Sequence, residues 1–282
     1  MSVHHEAIAG LAAGVPFVAL PPDGGPGPAE EPPLIVAWHL NAPPRSAAAM
    51  AAALPLTGLS AWRAYLDLPM HGRRQLPGGL EEFMRLGYDD AVLHAFAPQV
   101  DQAVAEFPPA LAALRQRLGI AERPIGLLGA SIGALPALLV MAQGRVPVSA
   151  AALISPAIQL TEVVAANERR YGVTYDWSDA SRAIATRFDL VARSAEIASA
   201  DPQPAVLMIT GANDDPVFAR QTQALQAALH ERYGDPHRVS IQSVPEMGHA
   251  FAEEPGIEPA AQTPAARFLD TTVTDWFIRH PR

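Results

Sequence analysis

The sequence predicts an α/β fold, with a mostly parallel central sheet covered by helices on both faces. Three observations point there. Largely apolar runs of strand length recur at 34–40, 125–129, 148–156 and 205–211, and such runs suit strands buried on both sides. Stretches with apolar residues at helical spacing lie between them, the alternation expected of a parallel sheet. The stretch Pro124–Ala134 joins the two patterns: an apolar run ends at Gly129, a small-residue turn follows, and Leu135–Met141 reads as a buried helix.

The elements follow in order. Val15–Leu20 reads as an early strand, and Pro21–Pro33, rich in Pro and Gly, as a loop. Leu34–Leu40 is apolar enough for a central strand. Ser46 is a candidate N-cap for a helix over Ala47–Ala53. Ala61–Leu68 alternates as a half-buried strand should, and Met70–Tyr88 reads as irregular. Val100–Phe107 and Ala110–Leu118 are expected as two helices parted by Pro108-Pro109, with Gly119 as a C-cap. Val148–Pro156 and Ala205–Gly211 are further buried strands, and the charged, Tyr-bearing stretch between them, about 157–200, reads as a helical insertion. Pro216–Tyr233 is expected as a helix stopped by Gly234, Val239–Val244 as a last strand, and Thr263-Pro264 as the start of a final helix with Leu269, Val273, Trp276 and Phe277 inward. No internal repeat marks a solenoid, so a single domain spanning 1–282 is expected.

Composition narrows the function. At 282 residues, with 49% hydrophobic and 17% charged residues, the chain can bury a large core. A net charge of -9 argues against nucleic acid or an anionic membrane surface as partner. The absence of cysteine excludes disulfides and a thiolate nucleophile. Met1–Glu6 lacks a basic n-region, and no apolar run has the length of a membrane span, so a cytoplasmic location is the expectation.

The chemistry centres on Ser131, in Gly129-Ala130-Ser131-Ile132-Gly133 between strand and helix. A sharp strand-to-helix turn lifts a serine hydroxyl out of the sheet, and side chains at 129 and 133 would clash there. A serine nucleophile needs a base, and the base an orienting acid. In a parallel sheet both are sought at the ends of later strands. The strand at 205–211 runs into Ala212-Asn213-Asp214-Asp215, and the strand at 239–244 into Pro245-Glu246-Met247-Gly248-His249. The order serine, aspartate, late histidine is that of one architecture of this chemistry.

On these residues the chain resembles the α/β-hydrolase superfamily over nearly its whole length. The resemblance rests on the nucleophile elbow around Ser131, the acid loop Gly211-Ala212-Asn213-Asp214, and the late turn Gly248-His249-Ala250-Phe251. It implies an eight-stranded sheet and a Ser131–His249–Asp214 triad. Asp215 precedes Pro216 and suits the N-cap of the next helix, which leaves the acid role to Asp214, with Asp215 the alternative. His249 stands out from the other histidines by following a strand and a glycine.

An oxyanion requires two waiting donors. The backbone N–H of Ile132 is one candidate, and the resemblance places the second in the loop His39-Leu40-Asn41-Ala42-Pro43-Pro44. Relatives often carry His-Gly there, whereas this chain has Leu40, so the donor is the N–H of Leu40 or of Asn41. His39 is a candidate substrate contact and equally a brace for this loop. The insertion resembles the family's cap, in which Tyr171, Tyr175 and Trp177 are candidate substrate contacts or packing residues.

The expected activity is cofactor-free and metal-free hydrolysis of a small-molecule carboxylic ester through an acyl-enzyme. Dienelactone hydrolases with a cysteine nucleophile share the size and the Gly-His-Ala-Phe turn, but this chain has no cysteine. Prolyl-oligopeptidase-like peptidases share the catalytic core, and the chain is short for their propeller. The alternatives are a peptidase, acyl transferase or lyase on the same triad, or a non-catalytic binding protein on this fold. The sequence leaves oligomeric state open: an edge strand or the last helix could pair two chains.

Overall fold

The computed structural model describes residues 7–23 and 32–281. The strands are β1 (Ile8–Ala12), β2 (Val15–Leu20), β3 (Leu34–Trp38), β4 (Trp62–Leu66), β5 (Ile125–Ala130), β6 (Val148–Ile154), β7 (Ala205–Gly211) and β8 (Val239–Val244). They form one eight-stranded sheet in the order β1-β2-β4-β3-β5-β6-β7-β8. The β1–β2 and β2–β4 pairings are antiparallel and the rest parallel. This is the α/β-hydrolase fold.

The helices are α1 (Ala47–Ala53), α2 (Gly79–Asp90), α3 (Ala97–Leu118), α4 (Ala134–Gln143), α5 (Leu160–Tyr171), α6 (Asp179–Arg187), α7 (Ser194–Ala198), α8 (Pro216–His230) and α9 (Pro264–Arg279). Strand alternation sorts the core into two layers. Leu34, Val36 and Trp38 of β3 join one cluster with Leu114 of α3, Leu138 of α4, Ile197 of α7 and Leu225 of α8. Ile35 and Ala37 join the other, with Met50 of α1 and Val273 and Trp276 of α9. The sheet is therefore covered on both faces, which is why β5, β6 and β7 are buried at every position.

The order of the strands places the site. β3 connects to β4 on one side, while β5 lies on its other side, paired Trp38↔Gly129. The chain reverses its direction of travel across the sheet there, and the loops after β3 and β5 part to leave a crevice.

Several elements differ from the sequence expectation. The unanticipated β1 is an edge strand that buries little, paired to β2 through a turn at Ala13 and Gly14, both with positive φ. The supposedly irregular 70–88 contains most of α2. The two helices expected around Pro108-Pro109 are one, α3. Both prolines face solvent, where water can bond the carbonyls they leave unpaired, while Phe107, Ala110 and Leu111 stay in the core. The helix expected to Tyr233 ends at His230 with Glu231 as C-cap. Of the loop expected over 21–33, residues 24–31 lie outside the described residues, as do Met1–Glu6.

Between β6 and β7 the chain carries α5, α6 and α7 and no strand. Val163 and Val164 of α5, Ala185 of α6 and Ile197 of α7 all join the first core cluster. No helix among the described residues is long and apolar enough to cross a membrane.

Candidate active site

β5 ends at Ala130, and Ser131 takes a φ of +49°, a conformation that a non-glycine residue enters at some cost. The turn leaves no room beside it. A Cβ on Gly129 would lie 2.6 Å from the Gly133 carbonyl oxygen, and one on Gly133 only 2.2 Å from the His39 carbonyl oxygen. Both obstacles are backbone, so neither can swing aside. The serine carbonyl accepts from Ala157 N–H at 3.0 Å, which ties the turn to the chain after β6.

The other two residues arrive on loops that are themselves joined. After β7, Ala212 N–H donates to the Val244 carbonyl at 2.9 Å, and Asn213 N–H to the Met247 carbonyl at 2.9 Å. Gly211 is required at this crossing, since a Cβ there would sit 2.2 Å from the Met247 oxygen. The result is a chain of side-chain bonds. His249 Nδ1 lies 3.0 Å from Asp214 Oδ2 and 3.2 Å from Oδ1, and His249 Nε2 lies 2.8 Å from Ser131 Oγ. A carboxylate only accepts, so Nδ1 carries the proton and Nε2 is left to accept from the serine hydroxyl. The Asp214 side chain is 3% exposed and also accepts from Asp215 N–H at 2.7 Å. The Phe218 ring packs on the imidazole at 4.4 Å between centroids.

Asp215 is occupied elsewhere. It caps α8 by accepting from Val217 N–H at 2.9 Å and pairs with Arg169 at 3.1 Å. Its carboxyl lies below the usual range: burial raises it, but the Val217 N–H and the Arg169 guanidinium together outweigh that.

The loop after β3 abuts the serine turn at His39. The His39 ring is fully buried; its Nδ1–H donates to the Leu40 carbonyl at 2.9 Å, and its Nε2 accepts from Leu68 N–H at 3.0 Å. Burial holds His39 below the ordinary histidine range, against the Leu40 carbonyl and Asp67, so the ring is neutral at pH 7. Holding the Leu40 carbonyl fixes the Leu40–Asn41 peptide, and planarity turns the Asn41 N–H to the side away from the ring. The Asn41 side chain exchanges hydrogen bonds with Gln99 at 3.0 and 2.9 Å. Leu40 is fully buried in the core.

A cavity of about 820 Å³ opens at His249 and Asp214, and Asn41, Arg45, Phe218 and Glu254 are among its lining residues. Leu80, Phe83, Met84, Gly87 and Tyr88 of α2 form one wall. Ala91, Ala95 and Phe96 of a π-helical turn continue it, and Val163, Ala166, Asn167, Arg170 and Tyr171 of α5 line the cavity as well. Tyr88 and Tyr171 meet edge to face, 6.5 Å between centroids, and join the two walls.

Ser131, Asp214 and His249 are thus brought together, with Ile132 in the turn beside them and Asn41 at the cavity. Tyr171 lines the cavity, but three other candidate substrate contacts do not. His39 is sealed beneath the loop it braces. Tyr175 turns its hydroxyl to Asp90, and Trp177 packs against Tyr175 at 4.7 Å, both against the core. Burial, with the Asp90 bond, pushes the Tyr175 hydroxyl up to about 12. Sequence reasoning missed the α2 wall, although Leu80, Phe83, Met84, Gly87 and Tyr88 recur at helical spacing, and it missed Gln99, for which no local signal exists. Among the described residues no group of three or more His, Asp or Glu is placed to hold a metal ion.

No curated protein matches the sequence. Among solved structures, TT1662 from Thermus thermophilus is 18% identical with a TM-score of 0.58, covering 96% of this chain and 98% of that one. Dienelactone hydrolase from Anabaena variabilis is 15% identical with a TM-score of 0.56, covering 98% and 97%. A puromycin-hydrolyzing peptidase from Mycobacterium tuberculosis is 16% identical with a TM-score of 0.65 over 99% of this chain, which spans only 40% of the peptidase. These likenesses establish the shared fold. The family model described as the prolyl oligopeptidase family matches residues 100–275, well over half the chain, from α3 through the serine turn and both later loops into α9. The chain therefore belongs to the prolyl oligopeptidase family of serine hydrolases, within the α/β-hydrolase superfamily.

Proposed function

We propose that the protein cleaves carboxylic esters through an acyl-enzyme formed on Ser131. The observation that carries this reading is the unbroken Asp214–His249–Ser131 chain of hydrogen bonds opening on a cavity with mostly apolar walls. His249 Nε2 takes the hydroxyl proton as Ser131 Oγ attacks the ester carbonyl. Asp214 holds the imidazole in the required tautomer and stabilises the imidazolium that forms. The N–H groups of Ile132 and Asn41 receive the oxyanion, Asn41 rather than Leu40 because the peptide held by His39 turns that N–H away from the buried ring and Asn41 lines the cavity. The alkoxide leaves with the proton from His249, and a water, activated by the same base, releases the acid and restores Ser131.

The walls favour an ester with a bulky apolar or aromatic group, which Phe83, Met84, Phe96 and Phe218 would surround. In this reading the insertion at about 157–200 serves as the cap, with α5 lining the cavity together with α2.

The family match supports a second reading, a peptidase on the same three residues. One panel separates the two. The protein and Ser131→Ala are treated with a fluorophosphonate probe, then assayed on p-nitrophenyl esters of increasing acyl length and on aminoacyl p-nitroanilides. Ester turnover lost in Ser131→Ala supports the esterase reading. Turnover confined to the anilides supports the peptidase, and labelling that survives Ser131→Ala refutes the nucleophile.

A further inference from the structure

The loop that presents Asn41 has a fully buried leucine at position 40, so glycine freedom does not set its shape. Its conformation is fixed from a distance. Gln99, in the first turn of α3 and fully buried, forms a reciprocal amide pair with Asn41 across 58 residues of sequence. Gln99 Oε1 accepts from Asn41 Nδ2 at 3.0 Å, and Gln99 Nε2 donates to Asn41 Oδ1 at 2.9 Å. Gln99 Nε2 also lies 3.0 Å from the Pro69 carbonyl and 3.0 Å from His71 Nδ1. Its hydrogens thus face three acceptors. Turning the amide over would set Oε1 against the Pro69 and Asn41 oxygens, so the arrangement has one low-energy orientation. That orientation dictates which way the Asn41 amide faces, and the stretch from the His39 ring to the Asn41 side chain is clamped at both ends.

We propose that Gln99 is a positioning residue of the oxyanion site, holding Asn41 so that its backbone N–H meets the oxyanion formed at Ser131. Gln99 touches no reacting atom and acts only through Asn41. The proposal rests on the serine-hydrolase reading above. Loss of one oxyanion donor costs about 10²- to 10³-fold in kcat, and a displaced donor somewhat less.

The test is a double-mutant cycle on Gln99→Met, which keeps the volume and removes the amide, and Asn41→Ala, which keeps the backbone N–H and removes the side-chain brace. Each single variant is expected to lower kcat about 10- to 100-fold with KM within about twofold. Each should weaken a trifluoromethyl ketone inhibitor, whose adduct carries an oxyanion, by a similar factor. The double variant should be no worse than the poorer single one. Additive effects, or Gln99→Met lowering Tm while kcat and inhibitor affinity hold, overturn the proposal. So does Asn41→Ala at wild-type kcat, a result that does not depend on Gln99→Met folding. Wild-type protein without turnover on any ester or anilide would instead count against the hydrolase reading. The rate of fluorophosphonate labelling of Ser131 then carries the same cycle, and unchanged labelling in both single variants overturns the role of Gln99.

Discussion

Adjacent aspartates at 214 and 215 permit a sharp experiment, because the structure gives them different work. Asp214 accepts from His249 Nδ1 at 3.0 and 3.2 Å, and its side chain is 3% exposed. In Asp214→Asn the amide can still fit, but it bonds the imidazole best by donating to Nδ1. The ring then carries its proton on Nε2 and cannot accept one from Ser131. The expected loss in kcat is about 10⁴-fold, or roughly 5 kcal/mol of transition-state stabilisation, with the fold intact. Asp215 is expected to behave as a helix cap. Asp215→Asn keeps the cap on Val217 N–H and loses only the pairing with Arg169, whose side chain is 51% exposed, so stability should change by no more than about 0.5 kcal/mol. Asp215→Ala removes the cap as well and should cost about 1 kcal/mol, or about 2–4 °C in Tm. The assay is kcat and KM on the best ester or anilide of the panel, alongside thermal melts of the three variants. Asp214→Asn retaining more than about a tenth of wild-type kcat would refute the reasoning. A loss of three orders of magnitude in Asp215→Asn would refute it from the other side.

Further predictions are independent of that pair. Gly133→Ala should cost at least ~3 kcal/mol, seen as a Tm drop of about 6–12 °C, because its Cβ would lie 2.2 Å from backbone oxygen. Gly248→Ala, where a Cβ meets nothing within 4 Å, should stay within about 1 kcal/mol, and equal losses at the two positions would contradict the steric argument. Burial, aided by the Arg45 charge, pushes His71 down to about 3, so between that value and about 6.5 the unfolded chain binds a proton the native ring refuses. Stability from this source is full above about pH 6.5 and falls as pH drops, by up to ~1.4 kcal/mol per pH unit; His71→Leu should flatten urea-derived stability by that slope between about pH 6 and 4, and an unchanged slope counts against it. Tyr175→Phe breaks the bond to Asp90, which also caps the π-helical turn through Val92 and Leu93 N–H groups, and should cost about 1–2 kcal/mol. Faster amide exchange within 160–187 should accompany it, and exchange unchanged there would show that this bond does not hold the insertion.

The part of the fold readable in the sequence is the part that local chemistry dictates. β5, β6 and β7 are buried on both faces and are apolar apart from Ser149 and Thr210, and the glycines at 129 and 133 mark a turn no other residue could make. Asp214 could be preferred to Asp215 because a helix start has its own grammar, Asp then Pro, which claims Asp215. The errors have a common cause. α2 buries only Phe83 fully; its apolar stripe faces the cavity rather than the core, and glycines at 78, 79 and 87 blur its pattern. The Pro108-Pro109 pair reads locally as a break, yet Phe107, Ala110 and Leu111 on the opposite face hold α3 together. In both places tertiary packing overrides a correct statement about propensity.

The oxyanion loop lies at the limit of such reading. A glycine at position 40 would have left the loop's shape to its own torsions, and a sequence argument could then have used local rules. With leucine there, three contacts from afar settle the geometry: Leu68 N–H on His39 Nε2, Gln99 on the Asn41 amide, and the Gly133 turn against the His39 carbonyl. None of these partners is local: Leu68 lies 29 residues along the chain from His39, Gln99 lies 58 from Asn41, and Gly133 is farther still. A loop held this way is stiff because its partners belong to the turn after β5, to α3 and to the turn after β4, segments the core has already fixed. It therefore needs no glycine hinge, because its shape is set by residues distant along the chain. Sequence position alone ranks Leu40 and Asn41 equally as donors; the buried ring of His39, which holds the Leu40 carbonyl, is the contact on which the proposal of Asn41 rests.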